Sequence, residues 1–557
     1  MSTSVSDPIE SVTAAPSAPS AQPDRFVHER LPAPGQLPRM EYALPELRIP
    51  AQANLVQSLF DKAIREGRGD KPLLRSDKIT LTYTEALERV NRIAQVLTED
   101  FKLKPGNRVL LRGGNSIGMA LAWLGVVQAG LVAVATMPLL RARELGVIMQ
   151  KAQVQAVLCA HALREEIEAA PGRPERTLWF NVPADAQSGL APESSLDALM
   201  AGQPASATAC DTAADDICLI SFTSGTTGVP KGTIHFHRDV LAICDCFPRH
   251  VLKSGADDLF IGTPPLAFTF GLGGLLLFPL RVGAAAVLLE KLTPEALLQA
   301  IEKYRATICF TAPTFYRQMA TLAGKYDLSS LKKSVSAGEA LPVATREAWQ
   351  QATGLRMIDG IGATEMLHIF ISAAGDEIRP GATGKPIPGY RACVLDNKGQ
   401  PVGPGIVGRL AVKGPTGCRY LDDPRQRDYV LNGWNLTGDA YEMDADGYFF
   451  YRSRTDDMII SAGYNIAGPE VEDALLRHPA VAECGVVGKP DDERGQIVEA
   501  HVVLKPGFEP SSDMAAQLQD FVKEQIAPYK YPRSIRFLSL LPRTETGKLQ
   551  RFKLRST

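Results

Sequence analysis

The segment 221–232, SFTSGTTGVPKG, gathers residue types that can hold phosphate. Thr223, Ser224, Thr226 and Thr227 supply hydroxyl donors, and Lys231 supplies a positive charge. Gly225 and Gly228 let the backbone bend and bring its N–H groups close to a ligand. The spacing is not G-x-x-x-x-G-K-[ST]: Pro230 precedes the lysine and Gly232 follows it, so no hydroxyl stands in the Mg2+-ligand position of that motif. Further segments carry groups of related chemistry: Gly338-Glu339-Ala340-Leu341-Pro342, Asp359-Gly360-Ile361-Gly362-Ala363-Thr364-Glu365, Thr437-Gly438-Asp439, Arg454 with Asp456, and Gly547-Lys548. Singly, each reads as an ordinary turn or a solvated tail. Their order around a full phosphate-type loop gives them joint meaning.

These groups need a scaffold, and the sequence pattern predicts an α/β one. An apolar run, 217–220, enters the loop as a short buried strand. Upstream, an amphipathic helix over 55–66, a strand over 78–83, a helix over 85–98 capped by Thr84, and strands over 109–111, 156–158 and 178–180 alternate with further helices. Downstream, a helix over 235–246, strands over 260–263 and 307–310, and strand-to-loop transitions at Gly338 and over 357–365 continue the alternation. From Gly384, short strands separated by turns predict an antiparallel sheet or small barrel. After Arg454 the pattern changes again, to a compact α+β segment. The domain expectation is a Ser/Ala/Pro-rich disordered lead over 1–40, a large unit over 41–455, and a small unit over 456–557.

A chain of 557 residues is too long for one ordinary domain, and 45% apolar with 22% charged residues is the composition of a soluble globular protein. The net charge of −2 offers no broad basic field, which argues against a nucleic-acid binder. The nine Cys show no CxxC pair and the eight His no HExxH, so free thiols in a reducing cytoplasm are expected. Two long apolar stretches imitate membrane spans. In 119–140, Gln128-Ala129-Gly130 ends a helix and 132–136 reads as a strand, so a helix–turn–strand is expected there and no membrane is implied. The stretch 266–289, which carries Arg281 and several Gly, reads the same way. The lead has neither an apolar signal region nor the Arg-rich, acid-poor character of a transit peptide.

The segment 223–232 resembles the phosphate loop of the acyl-adenylate-forming enzymes, matching [ST]-[ST]-G-[ST]-T-G-x-P-K-G at every position. The other segments resemble that family's motifs, in the family's order, over nearly the whole chain beyond about residue 45. The resemblance implies an ATP site made by the loop, by Gly338, Glu339 and Ala340 along adenine, by Asp359 to Gly362, by Asp439 on the ribose hydroxyls, and by Arg454. Thr364 is implied on the α-phosphate, Glu365 on Mg2+, Lys548 as the catalytic lysine, and Asp456 as the hinge of a mobile C-terminal domain. Ser461, Ala462, Gly463 and Tyr464 are implied along the coenzyme A channel. Ile361 stands where the family often has an aromatic, so apolar packing replaces stacking on adenine.

Residues 359–370, DGIGATEMLHIF, closely resemble the benzoate-type CoA ligases. By that match Phe268, Thr269, Phe270, Gly271, Ala337, Gly362, His368 and Ile369 border an aryl-acid pocket. In PPLAFTFGLGG a hydroxyl has moved from a ring to the neighbouring Thr269. Together with LPELRIP near residue 44, this is more similar to the 2-aminobenzoate–CoA ligases. The expectation is an ATP-, Mg2+- and coenzyme A-dependent, cytoplasmic ligase of aromatic-compound degradation, a monomer or homodimer, acting on 2-aminobenzoate. Benzoate or a substituted benzoate is the alternative acid. A carrier-loading adenylation domain is disfavoured by a chain end with no carrier domain, a luciferase-like oxygenase by the absence of a peroxisomal tripeptide, and a non-catalytic protein by the presence of Lys548 and Glu365.

Overall fold

The computed structural model describes residues 17–183, 191–223, 230–455, 457–461, 464–491, 494–543 and 549–555. Its frame is two largely parallel sheets. In space, the first runs Thr177–Phe180, Ala156–Ala160, Arg108–Arg112, Val132–Thr136, Ile217–Thr223, Lys231–Phe236. All neighbours in it are parallel except the last pair, which is antiparallel. The second has nine strands and a parallel middle running Met357–Gly362, Lys333–Ala337, Ile308–Thr311, Leu259–Gly262, Ala285–Val287. Strands buried on both faces read as continuous apolar runs, as Val132–Thr136 and Ala156–Ala160 do. The stretch 119–140 is the expected helix, turn and strand, with Ile117–Gln128 buried along almost its whole length. No helix among the described residues is long and apolar enough to cross a membrane.

A third sheet, built on Arg391–Leu395, Gly408–Lys413, Trp434–Met443 and Phe449–Arg454, is antiparallel and corresponds to the expected short-strand region. Beyond it, Val481–Asp491, Gly495–Leu504 and Ser534–Phe537 form a separate three-stranded sheet. It is covered by Gly468–Leu476 and Ser512–Gln525 and has its own apolar core around Val471, Leu475, Val486 and Leu518. The fold is thus mixed α/β: a large N-terminal part of stacked sheets with an antiparallel sheet attached, followed by a small α+β part.

Three expectations need correction. Thr82, not Thr84, caps the second helix: it forms a capping box with Glu85, and the helix starts at Tyr83. The helix expected from His235 begins at His237, because Lys231–Phe236 is drawn into the first sheet as a strand. Of the lead expected to be disordered over 1–40, residues 17–40 are ordered, and residues 1–16 lie outside the described residues. Asp216, fully buried, accepts from the Ser20 hydroxyl, from Ala21 N (2.9 Å) and from Ala213 N (3.0 Å). Gln22 donates to Ile217 O (2.7 Å) and Gly130 O (3.2 Å), and Val27 is buried in the core. Composition signals disorder because the segment has few apolar anchors; what orders it is polar bonding to a buried carboxylate.

Removing residues 1–40 leaves Asp216 buried with two of its donors missing. A buried group left unsatisfied costs about 1–3 kcal/mol, so the thermal transition of the shortened chain should fall by about 1–3 °C in scanning fluorimetry. An unchanged transition would show that the strap contributes nothing.

Candidate active site

Lys231 opens the strand Lys231–Phe236, directly opposite Thr223 at the end of Ile217–Thr223. The phosphate-type loop therefore leaves and re-enters the sheet between two paired residues. Ser224, Gly225, Thr226, Thr227 and Gly228 lie outside the described residues, as do Asp456, Ala462, Gly463 and Lys548. The Lys231 ammonium donates to the Tyr420 hydroxyl at 2.8 Å and stands 3.5 Å from Glu365 Oε1. It also lies over the rings of Tyr420 and Tyr429, at 4.7 and 5.6 Å from their centroids. The Tyr420 hydroxyl in turn donates to Glu365 Oε1. Burial, with the Glu365 charge second, pushes the Tyr420 hydroxyl far up, so it remains a donor.

Tyr420 carries no signal in the sequence, and its position explains why. The chain at 419–421 runs beside the Lys231–Phe236 strand: Ile234 N donates to Arg419 O (2.7 Å) and Leu421 N to Gly232 O (2.8 Å). Arg419 also forms a buried ion pair with Asp239 at 2.7 Å. On the other side, His235 Nε2 donates to Thr364 O at 2.9 Å, tying the same strand to the Thr364–Met366 turn. Burial, reinforced by the Arg419 charge, pulls His235 down to about 3, so the ring is neutral.

Glu365 is 7% exposed and its Oε2 accepts no hydrogen bond from a described residue. No group of three His, Cys, Asp or Glu among the described residues could hold a metal. One free carboxylate oxygen without a protein cage fits Mg2+, which keeps its waters and shares phosphate oxygens, and does not fit a site for Zn2+, Cu2+ or another ion that takes nitrogen or sulfur ligands.

The remaining nucleotide candidates surround this cluster along the chain. Gly338, at φ +92°, turns the chain out of Lys333–Ala337, and the Glu339 carboxylate accepts from Thr314 at 2.7 Å. Asp359, Gly360, Ile361 and Gly362 end the adjacent strand Met357–Gly362. A Cβ on Gly362 would lie 2.8 Å from His368 O, because Ile369–Ser372 returns antiparallel beside it. Asp439 and Arg454 are register partners across two strands, with Nη1–Oδ1 at 3.2 Å. The two motifs that carry them are therefore neighbours. The hairpin containing Ser461 and Tyr464 belongs to the small C-terminal part, where Ser461 is 2% exposed. Arg543, just before the segment holding Lys548, reaches Glu339 at 3.5 Å and Glu483 at 2.7 Å.

The aryl candidates meet around His368. Its ring is 2% exposed and neither nitrogen has a well-formed hydrogen bond. Phe278, Phe247, Phe270 and Phe310 surround it at 4.5, 5.6, 5.6 and 6.5 Å between centroids. Burial pulls the imidazole down to about 3. Gly273 packs so closely that a Cβ there would lie 2.5 Å from His368 Cδ2. Thr269, 7% exposed, opens a short helix that follows the Pro-Pro turn. Asn115 pins that turn through Pro264 O (2.9 Å) and Leu266 N (2.8 Å). Phe247, Phe278, Phe310 and Asn115 carry no signal in the sequence: they are distant in the chain and have no motif of their own.

The family described as AMP-binding enzyme matches residues 60–419, and AMP-binding enzyme C-terminal domain matches residues 470–548. Benzoate–CoA ligase of Thauera aromatica is 36% identical over 518 residues, 92% of this chain and 97% of that one. The crystal structure of the anthranilate CoA ligase AuaEII in complex with anthranoyl-AMP has a TM-score of 0.85 at 34% identity, covering 92% of this chain and 98% of that one. A benzoate CoA ligase from Burkholderia xenovorans LB400 has a TM-score of 0.81 at 33% identity, covering 90% and 100%.

Burial pushes the Asp359 carboxyl up to about 7, against the opposing pull of Arg346 and the Gly360 N–H. The folded state therefore favours the neutral acid. The associated stability is present below the ordinary carboxylate value of 3.8 and is lost as pH rises toward 7. Asp359→Asn should gain melting temperature over the parent protein progressively from pH 5 to 7.5 and then level off; parallel melting profiles would contradict this.

Proposed function

The chain belongs to the AMP-binding enzyme family, and from that premise we propose that it ligates an aromatic carboxylic acid to coenzyme A through an aryl-adenylate. The observation that carries the reading is the two-sided Thr364–His368 turn. On one side Glu365 stands 3.5 Å from Lys231; on the other, His368 sits in a cage of phenylalanines. Phosphate and aryl group are the two ends of an aryl-adenylate, and this turn separates their two environments by three residues.

In the first half-reaction a carboxylate oxygen of the acid bonds to the α-phosphorus of ATP, and the bond to the bridging oxygen of pyrophosphate breaks. Mg2+ supplies charge neutralisation for the phosphate oxygens when bound beside Glu365. Lys231 and the loop hydroxyls position the triphosphate and stabilise charge that develops on it, and Lys548 adds a second cation. Asp439 and Arg454 hold the ribose. In the second half-reaction the sulfur of coenzyme A bonds to the acyl carbon, AMP leaves with the bonding pair, and the thiol proton passes to solvent. Rotation of the small C-terminal part about Asp456 removes Lys548 and brings in the hairpin of Ser461 to Tyr464.

The acid we propose is 2-aminobenzoate. Support comes from the likeness to a ligase solved with anthranoyl-AMP and from two polar side chains next to Phe270, the buried Thr269 and the His368 ring, whose nitrogens have no well-formed hydrogen bond. An ortho-amine would pair with one of them, which benzoate has no group to do, a difference of about 1–3 kcal/mol. Benzoate is the second reading, favoured by the 36% identity to a benzoate ligase.

The test is a competition assay with ATP, Mg2+ and coenzyme A against an equimolar mixture of 2-aminobenzoate, benzoate, 2-hydroxybenzoate, 4-hydroxybenzoate and phenylacetate, read by mass spectrometry. A dominant 2-aminobenzoyl-CoA peak is expected; a benzoyl-CoA peak would keep the chemistry and replace the acid. Thr269→Ala should lower the kcat/KM preference for 2-aminobenzoate over benzoate by about 5- to 100-fold. An unchanged preference in Thr269→Ala with a lost preference in His368→Ala would move the amine to the histidine.

A further inference from the structure

Lys231 and Glu365 are opposite charges in a nearly closed site, yet they do not form a hydrogen-bonded pair. They stand 3.5 Å apart and both bond to the one hydroxyl of Tyr420: it accepts from Lys231 at 2.8 Å and donates to Glu365 Oε1. Nothing forces this from sequence proximity. Tyr420 lies 189 residues from Lys231 and 55 from Glu365. Its backbone is locked on both sides, by Ile234 N to Arg419 O and Leu421 N to Gly232 O, while its ring packs edge-on against Tyr429 at 5.7 Å. The hydroxyl is thus delivered from a fixed frame.

We propose that Tyr420 is a positioning residue that keeps Lys231 from closing on Glu365, leaving the carboxylate available to the metal that accompanies ATP. It satisfies Oε1 with a neutral donor and leaves Oε2 without a donor among the described residues. Without it, the ammonium at 3.5 Å would move into contact with the carboxylate. That contact would neutralise the charge the metal needs and divert the cation from phosphate. A charged pair formed in a poorly solvated site resists opening more than one in water, so a hydroxyl spacer changes metal affinity more than it changes stability.

The inference rests on the reading of Glu365 as the carboxylate on the metal side. Its metal-binding test needs neither the acid nor coenzyme A, so an error about the acid leaves it intact. Full-length protein with ATP is titrated with Mn2+, and bound metal is read by electron paramagnetic resonance. Tyr420→Phe, which keeps the ring, should weaken metal binding three- to tenfold. In a Lys231→Met background the same change should weaken it less than twofold, because no cation remains to close on Glu365. In turnover, the Mg2+ concentration for half-maximal rate should rise in Tyr420→Phe while the KM for the aryl acid stays unchanged. Equal weakening in both backgrounds, or no weakening in either, overturns the proposal. Should Tyr420→Phe fail to fold, Tyr420→Gln retains a donor and an acceptor: metal affinity within twofold of the parent is expected, and a tenfold loss in the folded protein overturns the spacer role. Parent protein that binds no metal with ATP overturns both this inference and the reading beneath it.

Discussion

The buried pair between Asp239 and Arg419 is the constraint on which the nucleotide side depends. Asp239 is fully buried and Arg419 is 5% exposed, with 2.7 Å between their charged atoms. Asp239 also accepts from Phe236 N, so it closes the end of one strand and starts the following helix. The guanidinium lies 4.3 Å from the Phe236 ring centre. A buried pair of this kind adds little net stability over an apolar replacement, but breaking it by removing one partner costs about 3–5 kcal/mol. Its worth here is geometric. It fixes the 419–421 chain against Lys231–Phe236, and that register alone brings Tyr420 to Lys231.

From that register the rest follows through short links. His235, two residues before the helix, donates to Thr364 O and fixes the turn that carries Glu365. The strand from Lys231 to Phe236 therefore holds three things at once: the lysine of the phosphate-type loop, the turn with the carboxylate, and the chain with the tyrosine. Both histidines of this region, His235 and His368, are held neutral by burial, with values near 3. Their polar contacts are consequently insensitive to pH over the physiological range, and what titrates near the nucleotide side is Asp359, pushed up to about 7.

Much of this was legible in the sequence, and the remainder failed for identifiable reasons. Gly338 and Gly362 were readable because a left-handed turn and a crowded strand return leave few other residues possible. The buried strands were readable from apolar runs. Tyr420 and Arg419 were not, because their pairing with the Lys231 strand is one isolated bridge between segments almost two hundred residues apart, and neither alternation nor spacing records it. The ordered strap from residue 17 was misread because Ser, Ala and Pro dominate it, while its anchor, Asp216, lies far along the chain. His368 was placed by motif, but its cage of Phe247, Phe278 and Phe310 is a product of packing alone.

One residue joins the two halves of the site, and it does so under strain. Leu367 has φ +68° and ψ −47°, and His368 N donates to Met366 O at 2.9 Å. This is a γ-turn of the rare left-handed kind, centred on a branched side chain that is fully buried. Such a backbone costs on the order of 1–3 kcal/mol and persists only where the surroundings over-determine it. Here they do: Leu367 is packed into the main core, Gly362 leaves room for the returning chain, and His235 holds Thr364. A relaxed turn would spread the reversal over more residues and separate Glu365 from His368 along the chain. The tight one keeps the carboxylate and the aromatic cage three residues apart and on opposite sides. A molecule whose phosphate and ring flank one carboxyl carbon needs that distance to be short and fixed, and the burial of Leu367 is what holds it.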